Sequence, residues 1–202
     1  MELATLPQRR RLTPDARRAE LLHAGERVFA ERPYEDVSIE QIAETAGVSK
    51  NLLYHYFTGK RELYLETIRA ATNEMLSRTD PDPSLPPIEA LRASVDRHLV
   101  YVEEHADGYI RILRGAGGDA EVQAIVTAAR QRVVDRSVAA LPLNGAPPPP
   151  ALLLALHGWT AFIDEVSMTW LEHPALDRLA LREMLVRQFV AVVKASGSFD
   201  RR

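Results

Sequence analysis

Ser38-Ile39-Glu40-Gln41-Ile42-Ala43-Glu44-Thr45-Ala46-Gly47-Val48-Ser49-Lys50-Asn51-Leu52-Leu53-Tyr54-His55-Tyr56-Phe57 reads as two short helices joined by a tight turn. Ser38 with Gln41 three residues on forms a capping box, in which each side chain satisfies a backbone N–H that the helix leaves unpaired. Ile39, Ile42, Ala43 and Ala46 recur at helical spacing and make an inner face. Gly47 closes this helix, because glycine accepts the left-handed backbone that a sharp exit needs. Ser49 can cap a further helix through Phe57, and Thr58-Gly59 separates it from a helix beginning near Lys60.

Upstream, Thr13-Pro14-Asp15 marks a helix start: an N-cap hydroxyl, a proline whose missing N–H does no harm there, and an acid at the positive dipole end. Leu21, Leu22, Ala24, Val28 and Phe29 carry that helix to about Arg32, where Pro33 ends it. Helices of about 8 residues do not persist alone. Packing among the first helix, Ile42, Val48, Leu53 and Phe57 must therefore hold a three-helix module. Its last two helices fit helix-turn-helix geometry, in which the second enters the major groove of duplex DNA and its early residues reach base edges.

On that helix Lys50 and Asn51 occupy the first turn, where an ammonium can reach guanine acceptors or a phosphate and an amide can pair with adenine. Tyr54, His55 and Tyr56 offer polar tips and flat rings, and Lys60 offers a cation to the phosphodiester backbone. Two readings stay open for Tyr54, base contact or packing on the first helix, and for His55, DNA contact or a solvated imidazole. Ser38 and Ser49 are caps first, beside N–H groups able to bind phosphate.

Val37-Ser38-Ile39, Ile42-Ala43, Ala46-Gly47-Val48-Ser49-Lys50, Leu53-Tyr54-His55-Tyr56-Phe57 and Lys60-Arg61-Glu62-Leu63 together resemble the DNA-binding domain of the tetracycline repressor (TetR) family, over residues 13–65. That resemblance implies a homodimer on a pseudo-palindromic operator, released by a small molecule held in the C-terminal domain. It also implies base-facing positions for Lys50, Asn51 and Tyr54, and backbone-holding ones for Tyr56 and Lys60. Two positions depart from the family pattern. Asn51 stands where glycine is frequent, and Leu52 replaces a small hydroxyl residue, which offers an apolar contact to a thymine methyl group in place of a polar one.

Composition sets the bounds. The 202 residues carry a net charge of -3 and no cysteine, which excludes disulfides, thiolate metal sites and thiol redox switching. Positive and negative side chains balance over residues 1–65, so clustering matters more than the overall sign. Arg9, Arg10, Arg11, Arg17 and Arg18 concentrate positive charge just before the helical module, as a flexible basic arm or a phosphate contact. No apolar run reaches the ~20 residues of a membrane span, and no apolar signal core follows the N-terminal arginines. A cytoplasmic protein without a membrane partner is the expectation.

Beyond Leu63 only pattern remains. The fourth helix is expected to reach about Arg78, and Pro81, Pro83, Pro86 and Pro87 make a stiff hinge. Helices follow over about 88–106, 109–114 and 120–141, the second stopped by Gly115-Ala116-Gly117-Gly118, and then a proline linker at 147–150. Two long apolar helices, about 151–172 and 177–196, complete the chain. The expected fold is all-α, with a helix-turn-helix domain at 13–60 and a larger effector-binding and dimerisation domain at 61–196.

In the resembled family the last two helices pair with their twins as a four-helix interface. Trp159, Ile163, Val166, Trp170, Leu185, Phe189 and Val192 are the residues here that such a stripe would present, with an intramolecular core as the other reading. An effector site is expected between helices, mostly apolar with a few polar groups. His98, Tyr101, Tyr109, Arg114, Arg130, His157, Phe162, Asp164 and Glu165 interrupt otherwise apolar helices and are its candidates. A lipophilic molecule with one polar end suits them. No cofactor is expected and no metal, since His98 and His105 are two turns apart. No glycine-framed serine, phosphate loop or His-Glu metal signature marks an enzyme. The alternative is a helical dimer, structural or ligand-binding, that has lost DNA binding.

Overall fold

The computed structural model describes residues 12–143 and 145–196; the expected basic cluster Arg9-Arg10-Arg11 lies outside the described residues. Within them the fold is all-α: α1 (Pro14–Glu31), α2 (Ile39–Ala46), α3 (Lys50–Tyr56), α4 (Lys60–Arg78), α5 (Pro87–Glu104), α6 (Ala106–Gly115), α7 (Ala120–Ala140), α8 (Pro150–Glu172) and α9 (Arg178–Ala195). Two compact units, Met1–Thr67 and Ile68–Arg202, divide within α4.

In the first unit the local signals act as their chemistry requires. Thr13 Oγ1 accepts from the Ala16 N–H at 3.2 Å and opens α1. The Ser38 N–H donates to Gln41 Oε1 at 2.8 Å while the Gln41 N–H donates to Ser38 Oγ at 3.2 Å, so the capping box is closed in both directions. Gly47 sits at φ 64°, ψ 35°. Its N–H reaches the Glu44 carbonyl at 3.0 Å and the Val48 N–H reaches that of Ala43 at 2.9 Å, which satisfies the last carbonyls of α2 as the chain turns.

Leu21, Ala24, Val28 and Phe29 of α1 close over Ile39, Ile42, Leu53, Phe57 and Leu63 in one buried cluster. Each fully buried leucine there contributes roughly 1.5–3 kcal/mol. A 3-10 turn at Tyr34–Asp36 fills the gap between α1 and α2, where periodicity carries no signal. The Lys60 ammonium holds it, donating to the Tyr34 carbonyl at 2.8 Å and lying 4.2 Å from the centroid of its ring. At Gly25 α1 lies close against α4. A Cβ there would stand 2.8 Å from Thr67 Oγ1, which is itself donated to the Leu63 carbonyl at 2.8 Å.

The second unit packs α5, α8 and α9 around Val95, Leu99, Val102, Trp159, Ile163, Leu181 and Leu185. A further cluster joins Val134 of α7 with Leu152 and Leu156 of α8 and Val193 of α9. Prolines 86 and 87 start α5, and its end at His105 becomes the start of α6 at once, with the Tyr109 N–H on the His105 carbonyl at 2.9 Å. Thus α6 begins three residues ahead of its expected start at 109, because Asp107 and Gly108 are poor helix formers that tertiary packing overrides. The last carbonyls of α4 are capped from outside the helix. Arg97 of α5 donates to the Arg78 carbonyl at 2.7 Å, and Arg136 of α7 to that of Leu76 at 2.8 Å.

The approach at Gly25 leads to a test. Gly25→Ala gains about 1 kcal/mol of helix propensity, but overpacking against Thr67 costs about 1–3 kcal/mol. Denaturant unfolding is expected to show a loss in the wild-type background and a gain beside Thr67→Ala. Equal effects in both backgrounds would clear Thr67 as the obstacle.

Candidate nucleic-acid interface and buried polar cluster

Ser49 Oγ accepts from the Leu52 N–H at 3.3 Å and starts α3. Leu53 and Phe57 turn inward, being almost wholly buried, and this fixes which residues of α3 face outward. Lys50, Asn51, Tyr54 and His55 are exposed, and Leu52 and Tyr56 are half-buried. Tyr54 is 47% exposed, so its ring lies on the outer face and not in the core beside α1. Tyr56 packs on the buried cluster, with the His55 ring edge-on at 5.3 Å. Ser38 is half-buried in its cap, while Ser49 stands exposed at the head of the outer face.

Charge on this face is organised by pairing. The Lys50 ammonium donates to Glu40 of α2 and lies 5.7 Å from the Tyr54 ring centroid. That hydrogen bond raises the Lys50 pKa and lowers the Glu40 pKa, so each group strengthens the other's charge. Sequence reasoning missed Glu40. Its only signal was an acid in the first turn of α2, and the ten-residue separation becomes a contact only through the turn. Of the N-terminal basic cluster, Arg17 pairs with Glu20 at 2.6 Å, and Arg18 pairs with Glu66 at 2.6 Å with its guanidinium 5.2 Å from the Phe57 ring centroid. Lys60, expected to hold phosphate, makes the contact with Tyr34 described above and is half-buried.

In the second unit four of the nine effector candidates converge. Tyr109 Oη donates to Asp164 Oδ1 at 3.0 Å and Arg130 Nε to Asp164 Oδ2 at 2.8 Å, so one buried carboxylate on α8 ties α6 to α7. His98 Nε2 lies 3.2 Å from Ser167 Oγ, and its ring meets that of Tyr109 edge-on at 6.0 Å. Ser167 was not among the sequence candidates; one serine on an apolar helix carries no signal of its own. The other five candidates are placed differently. Tyr101 is buried and donates to the Ala71 carbonyl at 3.0 Å. Arg114 pairs with Glu172, and His157, Phe162 and Glu165 are exposed along α8. A cleft of about 320 Å³ lies between α4 and α7, with Leu76, Ile125, Arg69, Asn73 and Arg132 among its lining residues.

The expected interface stripe also takes part in packing within the chain. Trp159, Ile163 and Leu185 are buried by α5, α8 and α9, and Val166, Trp170, Phe189 and Val192 pack partly buried against the same cluster. Within the chain the stripe packs against α5, while Val166, Trp170, Phe189 and Val192 keep part of their surface open. On the other side of α8, Leu154 is 75% exposed and shares the surface with Gly158, Ala161 and Phe162. Trp159 Nε1 is buried with no hydrogen-bond partner among the described residues.

An N-terminal helix-turn-helix unit followed by a larger helical unit defines a class of two-unit helical regulators. Residues 21–67 match the bacterial regulatory proteins of the tetR family, and residues 87–192 match the tetracyclin repressor-like C-terminal domain. The chain belongs to the TetR family. Among solved structures, a tetR-family transcriptional regulator from Streptomyces coelicolor is 28% identical with a TM-score of 0.80, covering 93% of this chain and 85% of that one. FadR from Bacillus subtilis, solved in complex with stearoyl-CoA, shares the fold at 18% identity and a TM-score of 0.70, covering 86% of this chain and 98% of that one. The transcriptional activator FasR of Mycolicibacterium smegmatis is 36% identical over 105 residues, which are 49% of this chain and 46% of that protein. The chain therefore matches less than half the length of that curated relative.

The buried cluster has a pH signature. Burial holds the His98 pKa below its ordinary 6.5, with Asp164 opposing in part. Its contribution to stability is present above pH 6.5 and is lost as pH falls toward the folded value, because the unfolded chain takes up the proton first. Burial, with the charge of Asp164, pushes the Tyr109 phenol well above its ordinary 10.0, so its contribution is full below pH 10 and lost above it. Unfolding titrations are expected to show that His98→Gln flattens the acid limb and Tyr109→Phe the alkaline limb, each slope being at most about 1.4 kcal/mol per pH unit. Limbs unchanged in both variants would mean that these groups titrate alike in the folded and unfolded chains.

Proposed function

We propose that this protein is a ligand-responsive transcriptional repressor that reads a pseudo-palindromic operator as a homodimer in the cytoplasm. The observation that carries this reading is the division of α3: Leu53 and Phe57 buried, Lys50, Asn51, Tyr54 and His55 exposed. Folding alone asks for the first pair. It does not ask for a cation, an amide and an aromatic hydroxyl side by side on the outer face, where they match base-edge acceptors and donors in a major groove. Lys50, Asn51 and Tyr54 read bases, His55, Tyr56 and Ser49 position the helix, and Leu52 meets a thymine methyl group. Ser38, beside the N–H groups it caps, and Lys60, while it holds Tyr34, contact the phosphodiester backbone.

Two copies place two such helices in successive grooves about 34–36 Å apart. The surface for that pairing is the outer side of α8, with Leu154 and Phe162 flanking Gly158 and Ala161, whose small side chains admit close helix approach. The effector is a lipophilic molecule whose polar end meets the group formed by His98, Tyr109, Arg130 and Asp164. An effector that changes the distance between recognition helices weakens binding without touching any base contact. No membrane takes part; among the described residues no helix is long and apolar enough to cross one.

Selection of bound sequences from random duplexes tests the reading directly, and an inverted repeat is expected. Asn51→Ala should then cost about 1–3 kcal/mol, roughly fivefold to 150-fold in affinity, and relax the preference at one position of each half-site. Enrichment of no sequence would favour the helical dimer without DNA binding. Leu154→Asp with Phe162→Asp is expected to give a monomer by sedimentation and to weaken operator binding while leaving α3 unaltered. A dimer that survives both changes places the interface elsewhere.

A further inference from the structure

The exposed face of α3 carries one permanently charged side chain, Lys50, and the structure hands it to a carboxylate. Glu40 comes from the first turn of α2, where its charge also suits the helix dipole. Both partners are open to solvent, with side chains 59% and 48% exposed for Glu40 and Lys50. The Tyr54 ring lies 5.7 Å from the ammonium, so acid, cation and ring form one row across the two helices. A negative group on a surface that approaches a polyanion lowers affinity for every duplex alike. Its presence beside the single cation of the reading helix calls for a different consequence.

We propose that Glu40 is a positioning residue that restrains Lys50 from indiscriminate phosphate binding, so that the cation contributes to affinity only where a base edge takes the carboxylate's place. An exposed ion pair is weak, comparable with one screened phosphate contact, and a lone phosphate therefore gains little by breaking it. Guanine offers the same ammonium two acceptors at once, O6 and N7, and these together offset the loss of the ion pair where a lone phosphate does not. Selectivity then follows from the difference between the two competitors, since the carboxylate penalises the wrong partner. This inference rests on the operator-reading role of α3.

The test compares wild type, Glu40→Gln, Lys50→Ala and the double variant on three partners: the selected operator, an unrelated duplex and immobilised heparin, a polyanion that needs no base reading. Glu40→Gln is expected to tighten binding to the unrelated duplex and to heparin roughly twofold to fivefold. The salt slope should steepen by about 1 as Lys50 becomes available to phosphate. The operator should gain less, so the ratio of operator to unrelated affinity falls. Beside Lys50→Ala, Glu40→Gln should give only the smaller gain that loss of one negative charge brings to any duplex, with no change in the salt slope. An equal gain in both backgrounds would overturn the proposal in favour of a general field effect, as would no gain on heparin and unrelated duplex. Thermal unfolding of the four proteins separates these outcomes from misfolding. If no duplex is preferred by wild type, the operator reading fails, while the heparin comparison still decides whether Glu40 restrains Lys50.

Discussion

The angle between α2 and α3 is a constraint that neither helix can meet by itself. Eight and seven residues are too few to hold a helix in water, so both exist because Ile42, Leu53 and Phe57 are buried together beneath α1. Gly47 makes this geometry reachable: its left-handed backbone lets α2 stop while its last carbonyls are still bonded, by Gly47 and Val48 N–H groups. Everything on the outer face of α3 inherits its direction from that buried side. Lys50 meets Glu40, and Tyr54 stands outward, because Leu53 and Phe57 cannot.

Polar groups serve a different purpose in the second unit. A carboxylate in an apolar interior is tolerable only when hydrogen-bonded and paired, and Asp164 meets both conditions through Tyr109 and Arg130. The outcome is a link among α6, α7 and α8 that apolar contact alone would leave free to slide. Outside, Arg92 with Glu183 and Arg178 with Glu103 join α5 to α9 at 2.9 and 2.8 Å. Such exposed pairs contribute little individually. The α5 to α9 packing rests on the apolar residues beneath them.

Helix α8 shows why an apolar stripe does not name its own partner. Its 23 residues are apolar on more than one side. One side, with Trp159 and Ile163, closes on α5 and α9; another, with Leu154 and Phe162, stays open. A periodicity argument selects the richer side as the interface. The richer side packs in this chain's own core, and the poorer side is left open to solvent.

Much of this was legible without coordinates, for reasons that are local. Caps at Thr13, Ser38 and Ser49, the stop at Gly47 and the prolines at 33, 86 and 87 act within a few residues, so helix limits, the all-α class and the helix-turn-helix could be read directly. The outward set on α3 was readable except at Tyr54, where a ring suits core and surface equally. The 3-10 turn at Tyr34–Asp36, the pairing of Glu40 with Lys50 and the hold of Lys60 on Tyr34 join residues ten or more apart or depend on such a junction. Four of nine polar candidates in the larger unit meet around Asp164, and five do not, because a polar residue on an apolar helix says that something must satisfy it and nothing about what does. By itself the amino-acid order determined where helices begin and end and which family pattern they make. Packing in three dimensions decided which face of each helix is inside and which charges meet, because burial and pairing belong to neighbours that the chain brings together only on folding.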